Sequence, residues 1–340
     1  MIERVLIVGY GSIGKRHLSI VRETLPNADI RILRHLPQFD VPKLANGSFD
    51  SLQVACDFKP NVSIIANPAP FHIEVANALA SVGSHILMEK PISANAVGVK
   101  SLINLMRSKA LVLQIGYNLR FLPSLAWYRN HVLAGGLGDI LSVRCEFGQY
   151  LPSWRPDTDY RQGVSARRDL GGGVMLELSH ELDYLRWIFG EVEWVSAWLG
   201  HQSDLQIDVE DTAHLTLGFC NSGNSVGRLS LDFIRHDTSR TCTAIGSRGS
   251  CRWNGLTGEV EEWLEGGNGW QSVFRHLHHR NESYQNQWQH FVSCVDQHVD
   301  PLISGEDGLA VLEIILAARQ SAGANGVRAL VGKLEKLSLK

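Results

Sequence analysis

Between a short apolar run, Val5 to Val8, and a stretch with apolar residues at helical spacing (Ile13, Leu18, Val21, Leu25) lies Gly9-Tyr10-Gly11-Ser12-Ile13-Gly14. Glycines so spaced suit a strand that turns at once into a helix. The first lets the chain turn tightly, the second lets the backbone approach a pyrophosphate, and the third lets helix and strand pack closely. The helix N-terminus adds unpaired N–H groups and a partial positive charge. The spacing therefore predicts a dinucleotide site on Gly9, Gly11, Ser12, Ile13 and Gly14. In such units an acid roughly 20 residues on binds a ribose 2′-hydroxyl. Arg34 and His35 stand there instead, and a guanidinium suits a 2′-phosphate, which favours NADP(H) over NAD(H).

Further apolar runs at Ile30–Leu33, Val62–Ala66, Ile86–Met88 and Leu111–Ile115, with an amphipathic helix over 71–82, predict strands separated by helices. That alternation implies a parallel sheet with right-handed crossovers. Beyond residue 120 the strands become longer and more alternating: Ile140–Phe147, Val192–Leu199, Ala213–Phe219, Ser225–Phe233 and Thr241–Ile245 predict an antiparallel or mixed sheet. Helices are expected over Val174–Phe189 and Glu306–Gly323, and Gly266–Asn281 reads as a loop. The expected division is 1–120 and 121–340, because one core seldom grows past about 250 to 300 residues.

A net charge of −3 over 340 residues offers no broad attraction for nucleic acid or an anionic membrane. No apolar stretch nears the roughly 20 residues of a membrane span, and Met1 to Arg4 does not open a signal peptide. Six scattered cysteines without a C-x-x-C pair argue against a disulfide framework and a zinc site, and suit reduced thiols in the cytoplasm. His276, His278 and His279 lack a carboxylate at ligand spacing, so no metal is expected.

The series Asn67-Pro68, His72, Ala76, then Gly83-Ser84-His85-Ile86-Leu87-Met88-Glu89-Lys90-Pro91-Ile92 follows the glycine turn. Next come Gly116-Tyr117-Asn118-x-Arg120-Phe121-x-Pro123, then Gly171-Gly172-Gly173 leading to His180, Asp183 and Arg186-Trp187. Arg280-Asn281-Glu282-Ser283-Tyr284 and Glu306-Asp307-Gly308-Leu309 complete it. Over nearly the whole chain this resembles the Gfo/Idh/MocA oxidoreductases. The resemblance implies an α/β chain: an N-terminal Rossmann domain with a doubly wound parallel sheet, and a C-terminal α/β domain with an open, mostly antiparallel sheet. It also implies a nicotinamide cofactor between the domains, a homodimer or homotetramer, and redox chemistry at a sugar or cyclitol hydroxyl. Carried onto this chain, it places Asn67, Pro68, His72, Glu89, Lys90 and Asn118 at the cofactor and Arg120, Asp183 and Tyr284 at the substrate.

Hydride transfer from a carbinol needs a base for the hydroxyl proton and a cation near the developing oxyanion. Lys90 and His180 are the candidates, and the resemblance gives Lys90 contacts to substrate hydroxyl and cofactor ribose. The family's acid one turn before the histidine is absent: position 176 is Leu, so that role falls to Glu177, three residues before His180, to Asp183, or to no residue. The aperiodic segment from Gln149 holds Trp154, Arg155, Tyr160, Arg161, Arg167 and Arg168. Its arginines suit a carboxylate or phosphate and its aromatics a sugar face, which points to a nucleotide sugar, sugar phosphate or sugar acid. The segment resembles members serving surface-polysaccharide or unusual-sugar synthesis. Two other activities suit the same residues: a glycosidase or lyase that oxidises its substrate transiently, and a dinucleotide sensor without chemistry.

Overall fold

The computed structural model describes residues 2–34, 40–220 and 225–332. In chain order, β1 (Arg4–Val8), α1 (Ser12–Thr24), β2 (Asp29–Leu33), β3 (Gly47–Phe49), α2 (Leu52–Asp57), β4 (Val62–Ile65), α3 (His72–Ser81), β5 (His85–Met88), α4 (Val99–Ser108) and β6 (Leu113–Ile115) form a first layer system. Its sheet is six-stranded and parallel, in the order β3-β2-β1-β4-β5-β6. β4 is buried at every position, which is why it is apolar but for Ser63, whose hydroxyl pairs with that of Ser84: helices cover both faces of such a sheet. Strand order reverses between β1 and β4. A crevice opens at the carboxyl ends of strands at such a point, here where the glycine turn and Asn67-Pro68 follow their strands.

The chain continues through α5 (Pro123–Leu133), β7 (Ile140–Gly148), α6 (Val174–Glu177), α7 (His180–Phe189), β8 (Val192–Gly200), β9 (Thr212–Phe219), β10 (Val226–Asp232), β11 (Ser239–Gly246), β12 (Gly249–Asn254), β13 (Glu259–Leu264) and β14 (Gln271–Arg275). Then follow α8 (Glu282–Gln297), α9 (Gly305–Gly323) and β15 (Ala329–Leu330). These strands make a nine-stranded sheet, β14-β13-β12-β11-β7-β10-β9-β8-β15, in which β7 and β10 are parallel and the other pairs antiparallel. Val143, Cys145 and Phe147 on β7 and Leu229 and Leu231 on β10 point into the core. The alternate residues Arg144, Glu146, Arg228 and Ser230 lie on the open face.

Two units divide the chain: Met1–Asn118 with Arg280–Leu312, and Leu119–His279 with Glu313–Lys340. A single cut at residue 120 misses this, because Trp288 and Phe291 of α8 share one apolar core with Val5, Ile7, Leu18 and Ile30. Trp288 also donates its indole N–H to Thr24 Oγ1 at 2.7 Å. Two further expectations need correction. The loop expected over Gly266–Asn281 contains β14, a half-exposed edge strand with no apolar period. The helix expected over Val174–Phe189 is broken at Leu178–Ser179, where the Ser179 hydroxyl donates to the Leu176 carbonyl and competes with the helical ladder. All six cysteines are free thiols, and among the described residues no helix is long and apolar enough to cross a membrane.

Candidate functional site

In the first unit, Gly9 has φ of 87°, and a Cβ there would stand 2.7 Å from the carbonyl oxygen of Ala66. A Cβ at Gly14 would overlap the carbonyl oxygen of Gly9, whereas one at Gly11 would meet open space. Two glycines thus close helix and strand onto the turn, and the middle one leaves room for a ligand beside the backbone. No side chain caps α1 and no acid occupies its first turn, so the N–H groups beginning at Ser12 and Ile13 keep their positive end toward that room. Across the strand-order reversal, the side-chain oxygen of Asn67 is buried and accepts no hydrogen bond from the described residues. Open space at Gly11, an uncapped helix start and a waiting acceptor fit a dinucleotide's pyrophosphate and sugar hydroxyls. Pro68 is half-buried and leads into the short helical turn Ala69–Phe71.

Gly9 donates its N–H to the Leu33 carbonyl, and Arg34 donates its own to Phe49. The end of β2 therefore lies beside the glycine turn, where an adenosine ribose would be read. His35 lies outside the described residues.

Lys90, half-exposed, occupies the turn after β5 and precedes a cis peptide bond to Pro91. The residue before it, Glu89, places Oε1 2.7 Å from Nε2 of buried His17 on α1. His72 is 1% exposed, with Nε2 2.7 Å from the Asn67 carbonyl and Nδ1 3.0 Å from that of Pro91. Burial pushes its pKa below the ordinary histidine value, while those carbonyls and Glu89 pull it upward. Asn118 is likewise buried and spends its amide N–H on Ser283 Oγ at 2.7 Å. Tyr284 lies edge-on to His17, with the Arg16 guanidinium 4.5 Å from its ring centre, so it packs on α1.

In the second unit, Gly171 and Gly173 take positive φ values of 80° and 97°, and a Cβ on Gly172 would overlap the Val164 carbonyl. This backbone leads through α6 to His180, the half-exposed first residue of α7. The break at Leu178–Ser179 places Glu177 and His180 on separate helices. Glu177 accepts the Ser165 hydroxyl at 3.0 Å.

Arg120 and Asp183 form a buried ion pair: they are 4% and 1% exposed and joined by two hydrogen bonds of 2.9 and 2.6 Å. Of the exposed arginines, Arg161 pairs with Asp159 and Arg167 with Asp169, while Arg168 donates its guanidinium N–H to the Asp208 backbone carbonyl and its own backbone N–H to the Asp208 carboxylate. Arg155 is exposed, and its guanidinium has no partner among the described residues. It lines a notch with Trp154, Tyr160 and Ser165. Trp154 donates to the Gln149 carbonyl, and the Tyr160 hydroxyl accepts the Gln206 N–H. Among the described residues no group of three or more His, Cys, Asp or Glu could hold a metal ion.

Sequence reasoning gave His17 no role, and its one signal is position, three residues past Gly14 on the helix that carries the glycine turn. Glu181, fully buried on α7 and paired with Arg240 at 2.8 Å, left no signal.

A parallel sheet carrying an uncapped glycine turn, joined in one chain to a half-covered sheet, is the architecture of a two-domain dinucleotide-binding α/β protein. Residues 3–117 match an oxidoreductase family's NAD-binding Rossmann fold and residues 129–328 its C-terminal alpha/beta domain, so the chain belongs to the Gfo/Idh/MocA oxidoreductase family. It is 30% identical over 156 residues to levoglucosan dehydrogenase of Pseudarthrobacter phenanthrenivorans, a match spanning 45% of this chain and 39% of that enzyme. It is 26% identical over 339 residues to myo-inositol 2-dehydrogenase of Thermotoga maritima, covering 94% of this chain and 96% of that one. A solved structure of levoglucosan dehydrogenase in complex with NADH superposes with a TM-score of 0.85 at 22% identity, over 98% of this chain and all of the other, a likeness of fold.

Proposed function

We propose that the chain oxidises a secondary hydroxyl of a sugar or cyclitol, or reduces the matching ketone, and that Lys90 and His180 carry the proton chemistry. The observation that carries the reading is the open cradle at Gly11 with Lys90 braced in the turn after β5, the second strand from β1 in the same sheet. When bound, the nicotinamide supplies or accepts the hydride. Lys90 would hold the substrate oxygen through its ammonium group and steady negative charge growing there. His180 would take the hydroxyl proton in oxidation and return it in reduction. Glu177, already holding Ser165, would orient the segment before His180.

For the substrate's other end we assign Arg155, with Trp154 and Tyr160 as stacking surfaces, because its guanidinium is not neutralised locally as those of Arg161 and Arg167 are. An acidic sugar suits that arrangement. For the cofactor we assign Arg34 to a 2′-phosphate, so that NADP(H) is bound in preference to NAD(H). The open sheet face carrying Arg144, Arg228 and Trp198 is the surface we assign to a second copy, in a dimer or tetramer. Free thiols at every cysteine suit the cytoplasm.

The test is a panel of nucleotide sugars, sugar acids and neutral cyclitols assayed with NADP+ and NAD+. A sugar acid is expected to turn over, with NADP+ favoured. Arg155→Ala should raise KM for the acid by about tenfold or more while leaving a neutral cyclitol's KM in place. Arg34→Ala should remove the cofactor preference. A tenfold preference for NAD+ in the unaltered protein would reject the role given to Arg34.

A further inference from the structure

Both neighbours of Lys90 are tied down by imidazoles from elsewhere in the first unit. Glu89, the residue before it, meets His17 Nε2 at 2.7 Å, and this is the one polar contact of that ring among the described residues, since Nδ1 is buried without one. Pro91, the residue after it, gives its carbonyl to His72 Nδ1 at 3.0 Å, and the other nitrogen of the same ring meets the Asn67 carbonyl at 2.7 Å. Both rings are 1% exposed. Local sequence cannot explain these ties, because His17 and Glu89 are 72 residues apart and His72 and Pro91 are 19 apart.

The space around Glu89 is also closed. A Cβ on Gly116 would lie 3.0 Å from its Cα and 3.0 Å from its Oε2, so a glycine there leaves the room the carboxylate occupies. His17 stands on α1, the helix whose first turn faces the room at Gly11, and His72 opens α3, which follows the Asn67 loop. A lysine side chain has four rotatable bonds, so its ammonium is only as well placed as the backbone that roots it. Here that root is joined through one ring to the pyrophosphate helix and through the other to the loop bearing the waiting amide of Asn67.

We propose that His17 and His72 are positioning residues that lock the root of Lys90 to the cofactor cradle, and that they set the placement of its amine rather than the affinity for the dinucleotide. This rests on the catalytic reading of Lys90 for its effect on rate, but the placement itself can be measured without a substrate. Errors of about 1 Å in placing a reacting group cost about 10²-fold in rate, so the ties matter even where they add little to binding.

The experiment is ¹³C-dimethylation of the lysines in the full chain, with the Lys90 resonance assigned by its loss in Lys90→Arg, recorded with and without NADH. In the unaltered protein Lys90 should give one sharp signal that NADH moves. In His17→Leu and His72→Leu the signal should broaden or lose its response to NADH, although NADH still binds within about threefold of its normal Kd. His17→Gln, which keeps an N–H donor for Glu89, should restore the response. If His17→Leu does not fold, Glu89→Gln serves in its place, keeping the shape and weakening the tie. Lys90 signals that superpose on the unaltered protein's in every variant, whatever happens to Tm, would overturn the proposal. Turnover that survives Lys90→Ala would instead remove the catalytic reading and leave the placement result standing.

Discussion

Lys90→Ala is expected to lower kcat by about 10³-fold while NADH binding weakens by less than about tenfold. The two effects separate because the cradle does not depend on the amine: Gly9, Gly14, the uncapped start of α1 and Asn67 shape it independently. In the proposed mechanism alanine removes the cation beside the substrate oxygen, and stabilisation of developing charge is worth most at the transition state. Lys90→Arg should recover little, since a planar guanidinium does not place a point charge where an ammonium stood. Steady-state kinetics together with NADH titration decide the matter. Unchanged turnover in Lys90→Ala would remove the catalytic role given to Lys90, whereas NADH binding with no turnover of any alcohol would favour the sensor without chemistry.

The largest expected effect on stability is at Asp183. Asp183→Ala strands the Arg120 guanidinium, 4% exposed, in the interior of the second unit without its carboxylate. Removing one partner of a fully buried pair costs about 3–5 kcal/mol. For a unit of this size that corresponds to a fall in Tm of roughly 10 °C. The pair itself contributes far less than that penalty, because each charge was desolvated to form it. Replacing both residues together, Arg120→Met with Asp183→Leu, should therefore recover most of the lost stability. Thermal unfolding of the single and double variants checks this, and a single variant melting within a degree or two of the unaltered protein would contradict it.

Features that the backbone itself demands were readable in the chain. Gly9 and Gly14 have no alternative where a carbonyl occupies the place of a Cβ, and β4 is apolar but for Ser63, whose hydroxyl is paired with that of Ser84, because both its faces are covered. The half-exposed edges were not readable: β3 and β14 have few buried side chains, so no period marks them. The break before His180 was hidden because the apolar period runs on through Leu178 while a serine hydroxyl takes the helical carbonyl. At the candidate site, sequence identified the segments but not the direction of their side chains. His72 and Asn118 occupy the expected stretches, yet their polar atoms are used by a backbone carbonyl 19 residues on and by a serine 165 residues on. Arg120 and Asp183 have the chemistry of a substrate clamp, and only burial shows that they clamp each other.

Reduced nicotinamide measured against substrate consumed tests the account most directly, in a single run with the best alcohol of the panel and excess oxidised cofactor. A dehydrogenase with these residues should accumulate one reduced cofactor for each alcohol oxidised. Product formed without any rise in the reduced-nicotinamide absorbance would contradict the account and point to transient oxidation, as in a glycosidase or lyase.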